Sequence, residues 1–181
     1  MSGKNIIRLA VLFSVIAILL LAKNPKPTSS VPAALGAATK TADCSAVNGL
    51  PDSACTPGAT DSRVSQENIQ QTICVSGYSS SVRPPTSVTN PIKTKQMAAY
   101  GDTDSKSNYE LDHLISLELG GCPDCVTNLW PEPYNIALGA HEKDKVENYL
   151  HKEVCNGSIS LQTAQSEIAH DWVGVYYSLP K

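Results

Sequence analysis

Six cysteines, at positions 44, 55, 74, 122, 125 and 155, constrain what this 181-residue chain can fold into more than any other feature. Their meaning depends on the compartment. Lys4 and Arg8 flank the start of an apolar run, LAVLFSVIAILLLA from Leu9 to Ala22, which Lys23 closes. A basic flank followed by an N-terminal apolar stretch reads as an export signal. Residues 1–23 are therefore assigned as a signal peptide or a signal anchor. The run is short for a membrane span, which needs about 20 residues, yet Ala22 preceded by Leu20 is a poor small-x-small cleavage site. Both outcomes stay open: a secreted chain, or one anchored in the membrane by its N-terminal segment and facing the periplasm or exterior. In either case an even set of cysteines in an exported protein is expected to pair as disulfides. Six cysteines allow fifteen connectivities.

Behind the signal, residues 24–60 are rich in Pro, Ser, Thr, Ala and Gly and contain no aromatic residue, the composition of a flexible linker. Cys44 and Cys55 lie inside it, where they would close a small local loop. The ordered domain is expected over 61–181, and an apolar fraction of 41% suits one globular core. QENIQQTICVSGYSSSVRPP reads as a short helical or extended start that stops at Pro84-Pro85. Asn90 as cap, Pro91 at the first helical position and Gly101 past the end then mark a helix. Tyr109 to Leu117 reads as a strand entering a tight Gly120-Gly121 turn, and Asn128 to Trp130 as the return strand, ended by Pro131 and Pro133. Val146, Leu150 and Val154 recur at helical spacing up to Asn156-Gly157, and Ser160 caps a last helix with Leu161, Ala164, Ile168 and Trp172 on one face. Trp130 and Trp172 read as core aromatics. The order helix, strand, strand, helix, helix predicts an α+β domain.

Charge narrows the partner. From Asp61 onward nine Lys/Arg stand against fifteen Asp/Glu, a net of −6, whereas a nucleic-acid binder usually carries a basic footprint. The distribution is uneven, however. Between Glu67 and Asp102 there is no acid, while Arg83, Lys93 and Lys95 are present, an arm able to touch phosphates. Acids around Glu110, Asp112, Glu118 and 142–147 would instead suit a divalent cation, which prefers oxygen ligands.

The stretch YELDHLISLELGGCPDCVTNLWPEP carries the chemistry. Neighbouring strand side chains point to opposite faces, so Asp112 can hold a metal while His113 serves as a base near neutral pKa. Phosphodiester hydrolysis needs those two roles separated. The segments ELDHLISLELGG, TNLWPEPY and GAHEKDKVENYLHKEVC resemble the HNH endonucleases and their ββα-metal motif, in a branch of small exported HNH-like proteins, from about Cys74 to HDW near the C-terminus. The resemblance implies a ββα-metal hairpin-helix core with flanking helices. It implies His113 as general base, Asp112 as a metal ligand, Asn128 holding the loop between the strands so that His113 is oriented, and His141 as the second ligand. The implied cofactor is Mg2+ or Mn2+, with Zn2+ compatible with the same ligands, and the implied substrate is DNA or RNA. Two departures stand out. PEPYNIALGA separates Asn128 from His141, and on an ideal helix His141 faces away from Val146 and Leu150. Asp144 and Glu147 are therefore rival ligands, and Lys143 a candidate phosphate contact. Ser116 also stands where the motif more often has Pro.

Some HNH proteins bind a structural zinc through two CxxC pairs, but this chain has only Cys122-Pro-Asp-Cys125, and a four-sulfur site needs both. A redox CxxC normally sits at a helix N-terminus, not in a hairpin turn. The simplest pairing is Cys122 with Cys125 across the turn, Cys74 with Cys155 from the N-terminal segment to the helix, and Cys44 with Cys55. The alternative to an endonuclease is a non-catalytic, disulfide-stapled envelope or interaction module that keeps the ββα fold.

Overall fold

A computed structural model describes residues 44–180. The assignments of a signal segment to 1–23 and of a linker to 24–43 lie outside the described residues. Within them the fold is α+β, a two-stranded antiparallel sheet with four α-helices. The helices are α1 (Tyr78–Val82), α2 (Thr86–Tyr100), α3 (Ala140–Cys155) and α4 (Leu161–Ser178); the strands are β1 (Tyr109–His113) and β2 (Leu129–Pro133). Among the described residues no helix is long and apolar enough to cross a membrane.

The core lies where α3 meets α4. Val146, Leu150 and Val154, spaced so that they share one helix face, are fully buried against Leu161, Ala164, Ile168 and Trp172. Ile69, Ile73, Ile115 and Leu119 close the same cluster from the chain that precedes and follows β1. Ser160 caps α4 by accepting from the Thr163 amide at 3.0 Å, as its position predicts.

β1 and β2 pair with Asp112 opposite Trp130 and His113 opposite Leu129. β1 is shorter than its apolar pattern suggests, because the chain turns at Ser116 into a 3-10 turn, Leu117–Leu119. β2 runs through both prolines expected to end it. The Leu114 amide donates to the Asn128 carbonyl at 2.8 Å and that of Tyr134 to Asn108 at 2.9 Å, which puts the bonded positions of β2 at even numbers. Alternate amides of a two-stranded ladder point away from the partner, so Pro131 and Pro133 remove no ladder bond. α2 begins five residues before Pro91, which lies inside the helix rather than at its start. The missing N–H removes a single intrahelical bond. α2 is locked to the hairpin by Gln96, whose side-chain amide donates to the carbonyls of Val126, at 3.0 Å, and Leu129.

Residues 44–60 do not behave as linker. The Cys44 amide donates to Ala99 at 2.9 Å, the Gly58 amide to Thr127 at 3.0 Å, and the Trp172 indole N–H to Gly49 at 2.9 Å. Composition misleads here because the segment is held by backbone hydrogen bonds and sulfur, with few apolar side chains. Disulfides join Cys44–Cys55, Cys74–Cys155 and Cys122–Cys125, the pairing that spacing favours. Three disulfides suit an oxidising, extracellular environment.

Candidate functional site

The loop between the strands is built around one amide. Asn128 is fully buried, and its Nδ2 donates to the carbonyls of Ile115, at 3.0 Å, and Cys122, at 3.1 Å. Its Oδ1 accepts from the amides of Ile115, at 3.0 Å, and Ala59, at 3.2 Å. Both donors and both lone pairs of the side chain are thereby used. Gly121 completes this packing: a Cβ there would lie 1.7 Å from the Ile115 carbonyl oxygen and 2.9 Å from Asn128 Nδ2.

His113, at the end of β1, is held by the same loop. Its Nε2 lies 2.8 Å from the Pro123 carbonyl oxygen. A carbonyl only accepts, so Nε2 carries the proton and the neutral ring presents its lone pair at Nδ1. Burial lowers the imidazole pKa, against the opposing charge of Asp112, and keeps the ring neutral at pH 7. Pro123 lies between the two cysteines of the Cys122–Cys125 disulfide, so the clip that closes the hairpin also holds the acceptor of His113.

Asp112 leads to a second cluster. Its Oδ2 is 2.7 Å from Lys143 Nζ, which also donates to the His113 carbonyl at 2.8 Å and to Glu147 Oε1 at 2.5 Å. Lys143 is 1% exposed and Glu132, on β2, is 0% exposed, so one ammonium sits among three acids out of water. Neither carboxylate oxygen of Glu132 finds a hydrogen-bond donor among the described residues. A proton of its own lets Glu132 donate to Asp112. Burial and the Asp112 charge indeed push the Glu132 carboxyl well above its ordinary range. Burial also raises Glu147, to about 8, in spite of Lys143. Asp112, which burial alone would raise, is held low by the Lys143 charge and by hydrogen bonds from Glu132 and Lys143. Lys143 is held above its ordinary value by Asp112, Glu147 and Glu132, although burial works the other way. The cluster thus centres on an Asp112–Lys143 ion pair, with Glu132 and Glu147 both shifted toward their neutral forms.

On the outer side of Asp112 stand Glu110 and Asp144, both raised first by burial and then by the Asp112 charge. The exposed Arg83 acts electrostatically on Glu110, Asp144 and His113. His141 is also exposed, and its ring centroid lies 5.4 Å from that of Tyr134.

This arrangement departs from the ligand pair that the resemblance implies. Asp112 gives an oxygen to an ammonium, and His141 leans on Tyr134. Among the described residues, the groups of three or more acids, histidines or cysteines with ligating atoms within 4.8 Å of one another are Cys74, His151, Cys155 and Cys122, Asp124, Cys125. Their cysteines are disulfide-bonded and offer no thiolate. As they stand, Asp112 is engaged through Oδ2 by the Lys143 ammonium and His141 packs beside Tyr134, and neither belongs to such a group. Glu147 is spent on Lys143, and Lys143 is too deeply buried to meet a phosphate. In the basic arm, Lys93 Nζ is tied to the Tyr109 carbonyl at 2.6 Å, which leaves Arg83 and Lys95 exposed.

Glu132 and Pro123 were not legible as site residues. Glu132 sits between two prolines that read as a strand end, and only its alternation with Trp130 hints that it shares a face with Asp112. Pro123 contributes a backbone oxygen, for which a side-chain pattern has no sign. The concavities elsewhere on the surface have other linings. One of about 340 Å3 includes Tyr78, Glu118 and His151, and an apolar one of about 400 Å3 includes Trp130, Ile136 and Leu138. No protein-family model, no curated protein and no solved structure matches the chain, so its functional reading rests on the site itself.

Proposed function

We propose that this chain is a phosphodiester hydrolase acting on DNA or RNA, an HNH-like endonuclease in which β1, β2 and α3 form the ββα core. The observation that carries the reading is His113: a buried, neutral imidazole whose Nε2–H is fixed on the Pro123 carbonyl, with Nδ1 left as the base. In the proposed reaction Nδ1 takes a proton from water as the water oxygen attacks phosphorus, and the leaving oxygen departs on the opposite side with the P–O electron pair and is protonated by solvent. Asn128 keeps the loop that presents Pro123 in place, and Arg83 meets the phosphate. Lys143 already holds an oxygen of Asp112 and His141 packs beside Tyr134, so no step is assigned to Mg2+ or Mn2+.

The test is cleavage of plasmid DNA and of RNA by the oxidised protein beside His113→Ala. Removal of a general base is expected to reduce the rate about 10²–10⁴-fold, and equal cutting by wild type and variant would remove His113 from the mechanism. The alternative, a non-catalytic envelope or interaction module, draws support from the net charge of −6 after Asp61. No cutting by either protein would favour it.

A further inference from the structure

We infer that Lys143 is the resident cation of this site: its ammonium fills the oxygen cage where a divalent ion would bind, so the intact protein takes up no divalent cation at Asp112. The functional consequence, hydrolysis that persists in chelator, rests on the hydrolase reading; the occupancy of the cage does not.

Three features carry the inference. First, the ammonium is saturated. It has three donors, and they meet Asp112 Oδ2 at 2.7 Å, the His113 carbonyl at 2.8 Å and Glu147 Oε1 at 2.5 Å. Secondly, the cage is made of hard oxygens, the ligand type of Mg2+, Mn2+ and Ca2+. Glu132, fully buried and without a donor for either oxygen, adds a further carboxylate beside Asp112. Thirdly, the ammonium is delivered by a fixed arm. Lys143 and Glu147 lie one turn apart on α3, and Val146 and Leu150, both fully buried, anchor that helix in the core. A divalent ion could take the place of the ammonium only by displacing a charge that the core holds there. Lys143 is thus a positioning residue: through Asp112 and the His113 carbonyl it fixes both halves of the Asp112-His113 pair.

Removal of the ammonium should uncover the cage. Mn2+ titration of oxidised protein, followed by paramagnetic broadening of the His113 ring protons and by thermal unfolding, reads this without any cleavage assay. Wild type is expected to show neither site-selective broadening nor a saturable rise in Tm up to millimolar Mn2+. Lys143→Ala is expected to show both. Broadening of His113 in wild type at micromolar Mn2+ would overturn the inference, as would a folded Lys143→Ala that ignores Mn2+. If Lys143→Ala does not fold, Lys143→Gln and the wild-type broadening decide between the same outcomes. A wild-type protein that excludes Mn2+ and cuts no nucleic acid would leave this inference standing while the hydrolase reading falls.

Discussion

Replacing Asn128 tests whether one side chain organises the loop that carries the proposed base. Asn128→Ala deletes four hydrogen bonds, to the amide and carbonyl of Ile115, the carbonyl of Cys122 and the amide of Ala59. At a net of about 1 kcal/mol each, the loss is about 4 kcal/mol. The vacated space is polar and about large enough for a water, which can restore part of the bonding, so the expected cost is ~3 kcal/mol. Asn128→Asp keeps the shape but turns two donors into acceptors facing the carbonyl oxygens of Ile115 and Cys122. That carboxyl is therefore raised in the folded state. An acid raised on folding stabilises below its unfolded pKa and loses that contribution as pH rises, so Asn128→Asp should be closest to wild type below about pH 4 and should fall behind it steadily toward pH 7. Urea unfolding of the oxidised variants at several pH values measures both effects. A cost for Asn128→Ala below about 1 kcal/mol, or a pH-independent deficit for Asn128→Asp, would refute the claim that this amide holds the loop.

Two further outcomes follow from the same network. Glu147, raised by burial to about 8, favours the folded state below its unfolded pKa of about 4.3 and loses that stabilisation as pH climbs to about 8. Glu147→Gln mimics the protonated form, so its stability relative to wild type should improve across that window; a flat difference would count against a raised carboxyl. Replacing Cys122 and Cys125 together by Ser frees Pro123 from its four-residue ring, and the His113 Nε2–H signal should broaden or vanish in NMR spectra of a protein that stays folded. An unchanged tautomer would show that the clip does not position the ring.

Much of the fold is legible because it rests on side-chain periodicity. Val146, Leu150 and Val154 on α3, and Leu161, Ala164, Ile168 and Trp172 on α4, state their burial in their spacing. The hairpin is legible from Gly120-Gly121 and its flanking apolar residues. Residues 44–60 are not, because their order comes from main-chain bonds and a disulfide that composition does not reveal. The site divides in the same way. Asp112, His113 and Asn128 can be singled out by pattern, and the structure gathers them around one loop. What fills the space beside Asp112 depends on the rotation of α3, and KDKVE is compatible with several faces. That rotation buries Lys143 and turns His141 to solvent.

The Cys74–Cys155 disulfide, with a sequence separation of 81, encloses α1, α2, both strands and α3 in one covalent ring. A protease that cuts the exposed polar stretch at 103–108 opens the ring without releasing a piece. The two halves stay joined through sulfur, with Arg83 on one fragment and Asp112, His113 and Lys143 on the other. The covalent linkage of the site thus survives a cut that would divide an uncrosslinked chain.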